Sequence, residues 1–122
     1  MNAHAKKQFQ VFKKECVKWI RIFGMYGWEY TFLHIDLDND AGTCTWPDNP
    51  AQRQLTISLN TELPHYSMED IKRVAFHEVM EAFFYRISFL GEARYLQPED
   101  IDEERHNIIR TLEKVIFDRD DK

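Results

Sequence analysis

The sequence predicts an α+β fold with the element order α-β-β-β-α-α. Three observations point there. Apolar residues recur at spacings of three and four near both ends of the chain, the period of helices. Between them lie three short stretches rich in aromatic and branched residues, bounded by turn clusters, as strands are. The links between these stretches are short, which suggests an antiparallel meander. A small antiparallel or mixed sheet packed on helices is therefore expected. The 122 residues suit a single domain over 1–122 with one core.

Each element has its own signal. A helix is expected from about Ala5 to Phe23, with Phe9, Phe12, Cys16, Trp19, Ile20 and Phe23 as its apolar stripe and lysines on the remaining face. Gly24 and Gly27 end it. Trp28–Leu37 reads as the first strand, with Leu33, Ile35 and Leu37 on one face and Tyr30, Phe32 and His34 on the other. The cluster Asp38–Gly42 is a turn, Thr43–Trp46 a short second strand, and Pro47–Pro50 a break. Arg53–Asn60 alternates cleanly, with Leu55, Ile57 and Leu59 inward and Gln54, Thr56 and Ser58 outward. Ser67 and Asp70 form a start resembling a capping box for a helix running from Met68 to about Leu90, with Gly91 as its stop. Pro98 fits the first turn of a last helix, favoured there by Glu99, Asp100 and Asp102. Its apolar stripe is Ile101, Ile108, Ile109, Leu112, Val115 and Ile116.

Composition narrows the function. Hydrophobic residues make up 43% and aromatics 14% of the chain, enough to fold without cross-links. The net charge of −5 argues against a nucleic-acid backbone as the main partner, because phosphate binding needs clustered positive charge. Lys6, Lys7, Lys13, Lys14, Lys18 and Arg21 make the first helix a local exception, read as a solvated face. Cys16 and Cys44 form no CxxC pair. The chain shows no long apolar leader and no run of membrane-spanning length. These features predict a cytoplasmic protein with reduced thiols and no membrane partner.

The chemistry concentrates at His77-Glu78-Val79-Met80-Glu81. The helix around it is apolar over most of its circumference, so it is expected to lie inside the domain. His77 and Glu81 stand one turn apart and about 40° around, and can converge on one ion. Glu78 is rotated by about 100° from His77 and flanks that ion. HExxH uses the same geometry, with two histidines on zinc and the glutamate as general base. Here Glu81 takes the place of the second histidine, and carboxylates also ligate zinc. His106, at the edge of the last helix's stripe, is the candidate third ligand, with Asp102 one turn earlier to orient its ring. Glu103, Glu104 and His65 are rival donors. Arg73, His77 and Glu81 also fit an ordinary solvated stripe of ion pairs. Arg105 falls near the centre of an apolar stripe and calls for a carboxylate partner. The cluster Phe83-Phe84-Tyr85 reads as core.

This layout, with "VAFHEVMEAFF" on a capped helix after three strands and "DEERHNIIRTLEKVIF" on the last helix, resembles minimal zincins. In particular it resembles the small metallopeptidase-like proteins of phages and prophages, in an HExxE variant, over roughly Trp28–Phe117. The resemblance implies a zinc-dependent metallopeptidase in which His77 and Glu81 are ligands and Glu78 is the general base. It also implies a peptide or protein partner held along a strand edge, for which Arg53–Asn60 is the expected strand. A phage-encoded protein would act in the cytoplasm of the bacterial host. Tyr85, His65 and Arg105 are the candidate oxyanion donors. The alternative is a catalytically inactive zincin-like module that binds protein as a phage accessory factor.

Overall fold

The structure, a computed structural model, describes residues 2–47, 52–92 and 98–117. For residues 86–92, 100, 101, 104, 115 and 116 it describes the backbone alone. Three helices and a three-stranded mixed sheet follow the order α-β-β-β-α-α, an α+β fold. The elements are α1 (Ala3–Ile22), β1 (Glu29–Ile35), β2 (Gly42–Thr45), β3 (Gln54–Asn60), α2 (Met68–Glu92) and α3 (Pro98–Phe117). Among the described residues no helix is long and apolar enough to cross a membrane.

Local chemistry sets the helix starts. Asn2 caps α1 by accepting the Ala5 N–H at 2.7 Å. At α2 the capping box is reciprocal. The Ser67 hydroxyl accepts the Asp70 N–H at 3.1 Å, and the Asp70 carboxylate accepts the Ser67 N–H at 3.0 Å. Hydrogen bonding to the carboxylate, first from the Ser67 backbone N–H and then from the Ser67 side chain, holds the Asp70 carboxyl below its ordinary range. Gly91 does not stop α2, which continues through Glu92. A glycine inside a helix is only weakly unfavourable and ends one only where a left-handed turn follows.

The sheet is not a meander. Its order is β1-β3-β2, with β1 parallel to β3 and β2 antiparallel to β3. The later strand has inserted between the two earlier ones. The link from β1 to β2 therefore passes over the end of β3, and a buried asparagine holds it there. Asn60 Nδ2 donates to the carbonyls of Asp38 at 3.0 Å and Asp40 at 2.9 Å, while the Asn60 N–H donates to the Ala41 carbonyl at 2.9 Å. Asp38 takes a left-handed φ of 55°, tolerable because Asp36 Oδ1 accepts its N–H at 2.9 Å. Arg53–Asn60 was the expected substrate edge, but β3 is the central strand. The edges are β1 and β2.

On β3, Ser58, expected outward, is itself buried on the central strand, but the inward half of the alternation is as expected, since Leu55, Ile57 and Leu59 are each at most 1% exposed and face the helices. Their partners Tyr30, Phe32 and His34 on β1 and Gly42 and Cys44 on β2 share that side. Leu33 and Ile35 lie on the opposite, open face. The core joins this sheet face to Phe12, Cys16, Ile20 and Phe23 of α1 and Ile71, Ala75, Val79, Ala82 and Phe83 of α2. Gln8 is also buried. Its side-chain amide donates to the carbonyls of Leu63 at 2.8 Å and Tyr66 at 3.3 Å, tying α1 to the segment before α2.

The described part of the predicted α3 stripe is divided between core and solvent. Ile108 packs against the core, but Ile109 and Leu112 are exposed. The side chains of Ile101, Val115 and Ile116 lie outside the described residues. The described contacts of α3 reach the end of α1, where the Thr111 hydroxyl meets the Phe23 carbonyl at 3.5 Å.

Candidate metal centre

The buried stripe of α2 runs through Ile71, Ala75, Val79 and Ala82, none of them exposed. The two alanines allow α1 close approach, and the Cys16 thiol reaches the Ala75 carbonyl at 3.9 Å. On one flank, Phe76 meets Trp19 edge-on and Phe83 meets Phe23. On the other flank lies β2. The expectation of a helix lying inside the domain with little of it facing water is thus corrected, since Phe76 and Phe84 are exposed. Within the aromatic cluster Phe83 and Tyr85 are core, whereas Phe84 is 52% exposed.

HEVME straddles this boundary. At about 100° per residue, His77 points nearly opposite the buried stripe, Glu81 lies at its margin, and Glu78 turns inward toward β2. The side chains of His77 and Glu81 are 70% and 57% exposed, and His77 Nε2 stands 3.6 Å from Glu81 Oε2. The two expected donors are therefore together, one turn apart and aimed outward. Glu78 is 6% exposed. Burial raises its carboxyl from 4.5 to about 7, with His77 pulling it down and Glu81 and Asp40 pushing it further up.

The wall facing Glu78 is β2 and the loop before it, which the motif did not reveal. Gly42 sits so close that a β-carbon there would lie 3.2 Å from Glu78 Cγ. Cys44 follows. Burial, then Glu78 and Glu81, push its thiol up to about 12. Cys16 is raised still further, by burial first and Glu78 second. Both thiols are protonated near neutral pH and act as packing groups rather than nucleophiles. The bare glycine between a turn cluster and a strand was the available sign that another side chain comes close here.

His106 lies on α3 with its side chain 49% exposed. Its Nδ1 is 2.8 Å from the Asp102 carbonyl oxygen and 3.5 Å from Asp102 Oδ2, so Asp102 engages the ring, through its backbone more closely than through its carboxylate. The structure does not bring His106 to His77 and Glu81. Among the described residues no three His, Cys, Asp or Glu side chains are grouped to hold a metal ion. His65 and Glu103 are exposed and apart from the pair, and the side chain of Glu104 lies outside the described residues. Arg105 is 65% exposed and pairs with Asp102, so it occupies the solvent side and needs no carboxylate of the candidate site.

Two candidate donors, an imidazole and a carboxylate, thus share one helical face. The chain matches no known family model, no curated protein and no solved structure.

Proposed function

We propose that the protein is a zincin-like, zinc-dependent hydrolase acting on peptide bonds, with His77 and Glu81 as ligands and Glu78 as general base. One observation carries this reading. His77 Nε2 and Glu81 Oε2 lie 3.6 Å apart on one face, and the same turn holds a buried carboxyl raised to about 7. The pair supplies two of the three protein donors of a catalytic zinc site, and among the described residues none stands beside it as the third. A divalent ion held there would polarise a carbonyl and acidify water.

Glu78 handles the proton. Its carboxylate accepts a proton from water and its acid form returns it to the leaving amine. A pKa near neutrality keeps both forms populated at pH 7. Strand β2 supports a peptide substrate, because among the described residues it pairs on one side only, with β3, and it lies beside Glu78. An extended peptide can add to such an edge by backbone hydrogen bonds. The cytoplasm is the proposed site of action.

The exposure of the His77–Glu81 pair favours a second reading, a metal-free protein-binding module in which the two form a surface ion pair. Elemental analysis of protein purified without added metal separates the two. The hydrolase reading expects one zinc per chain, or uptake of one on titration. Substoichiometric metal without uptake would overturn it.

A further inference from the structure

We infer that Trp46 is a subsite for an aromatic side chain of the peptide, a short distance along the cleft from the bond on which Glu78 acts. The substrate class rests on the hydrolase reading. The place of the subsite rests on separate geometry.

The helix-facing side of β2 meets α2 in order. Gly42 lies against Glu78, Cys44 lies within the fields of Glu78 and Glu81, and the ring of Trp46 stacks on Tyr85. The Trp46 and Tyr85 centroids are 4.0 Å apart with planes 24° from parallel. Trp28 closes on Tyr85 edge-to-face at 5.7 Å. Tyr85 is 4% exposed, yet the indole that covers it remains 45% exposed. One face of Trp46 is therefore occupied and much of the rest is open at the end of the edge strand.

Tyr85 stands one turn beyond Glu81, about 6 Å along the axis. A peptide extended along β2 advances about 3.3 Å per residue. Measured from Glu78 and the Gly42 that faces it, Tyr85 lies about 10 Å along the helix and Trp46 four residues along the strand, so a side chain three or four residues from the reacting bond arrives at Trp46. An indole already packed on Tyr85 loses little further freedom when a ligand covers it. Its open surface suits another ring, because aromatic pairs gain from offset or edge contact beyond simple burial.

The test uses end-blocked octapeptides of alanine and glycine, with a single phenylalanine moved through the positions. Binding is measured by calorimetry on full-length Glu78→Gln, and cleavage on the unaltered chain. Phenylalanine at one position is expected to strengthen binding by about tenfold over the peptide without it. Adding Trp46→Ala to this protein removes that gain. Trp46→Phe, which keeps a ring on Tyr85, retains most of the gain. Equal binding of all peptides, or a preference that survives Trp46→Ala, overturns the subsite. Cleavage without preference overturns the subsite and leaves the hydrolase reading standing. Selective binding without cleavage supports the subsite and removes the catalytic reading. Failure of every peptide to bind overturns the subsite.

Discussion

Gly42 and Glu78 are in contact across the cleft between β2 and α2, so closely that position 42 has no room for a side chain. A β-carbon there would lie 2.9 Å from Val74 Cγ1 and 3.2 Å from Glu78 Cγ. The constraint is steric, since Gly42 is not among the positive-φ residues. Gly42→Ala is expected to lower stability by about 1–3 kcal/mol through overpacking. Val74→Ala in the same chain should recover only part of that, because the Ser58 carbonyl oxygen, a backbone atom 3.1 Å from the same position, stays in place. Urea unfolding of the single and double variants measures both effects.

The raised carboxyl of Glu78 sets a pH dependence in metal-free protein. Between its ordinary value of 4.5 and its folded value of about 7, the unfolded chain releases a proton that the folded chain retains. Stability from this group is fully present below pH 4.5 and is lost as pH rises through 7, by about 3 kcal/mol at most. Glu78→Gln should flatten the slope between pH 5 and 8. Urea unfolding across that range, with chelator present, would refute the assignment if both proteins kept the same slope.

Zinc binding distinguishes the roles of the charged residues. His77→Ala and Glu81→Ala should each weaken zinc uptake by more than the roughly 10–100-fold that loss of an outer partner causes. Glu78→Gln should leave uptake nearly unchanged and abolish hydrolysis. His106→Ala should leave uptake nearly unchanged, because the structure does not bring its ring to the pair, and a loss like that of the two ligand variants would instead assign it the third position. Competition with a chromophoric chelator reads each constant.

Gln8 offers a test remote from the site. Gln8→Ala leaves the buried carbonyl of Leu63 without its 2.8 Å donor, and the loss should be about 1–3 kcal/mol. Thermal melting checks this, and zinc affinity should be unaffected.

The element order and most boundaries were legible because each rests on local signals. The Ser67–Asp70 box and the alternation of Leu55, Ile57 and Leu59 are both contained within a few residues. Strand order was not legible. Short links suggested a meander, whereas Asn60, read only as the end of a strand, carries the loop that lets β3 enter the middle. In the site, helical spacing correctly placed His77 beside Glu81 and turned Glu78 away from them. The same spacing could not show Gly42, Cys44 and Trp46 as the opposite wall, because their approach depends on sheet order. Nor could it place α3, on which Ile109 and Leu112 are exposed. Arg105 misled for the same reason: a central position on a stripe implies burial only when the stripe is covered.

The threading of β3 between its predecessors has a consequence for assembly. β1 and β2 are separated by the width of a strand and do not pair with each other. Until residue 60 has been made, the chain holds two strands with no mutual ladder, and the wall opposite Glu78 has nothing to fix it. Cleavage in the link between β2 and β3 should therefore leave fragments that regain the sheet only by reassociating, with β3 supplied from the second piece.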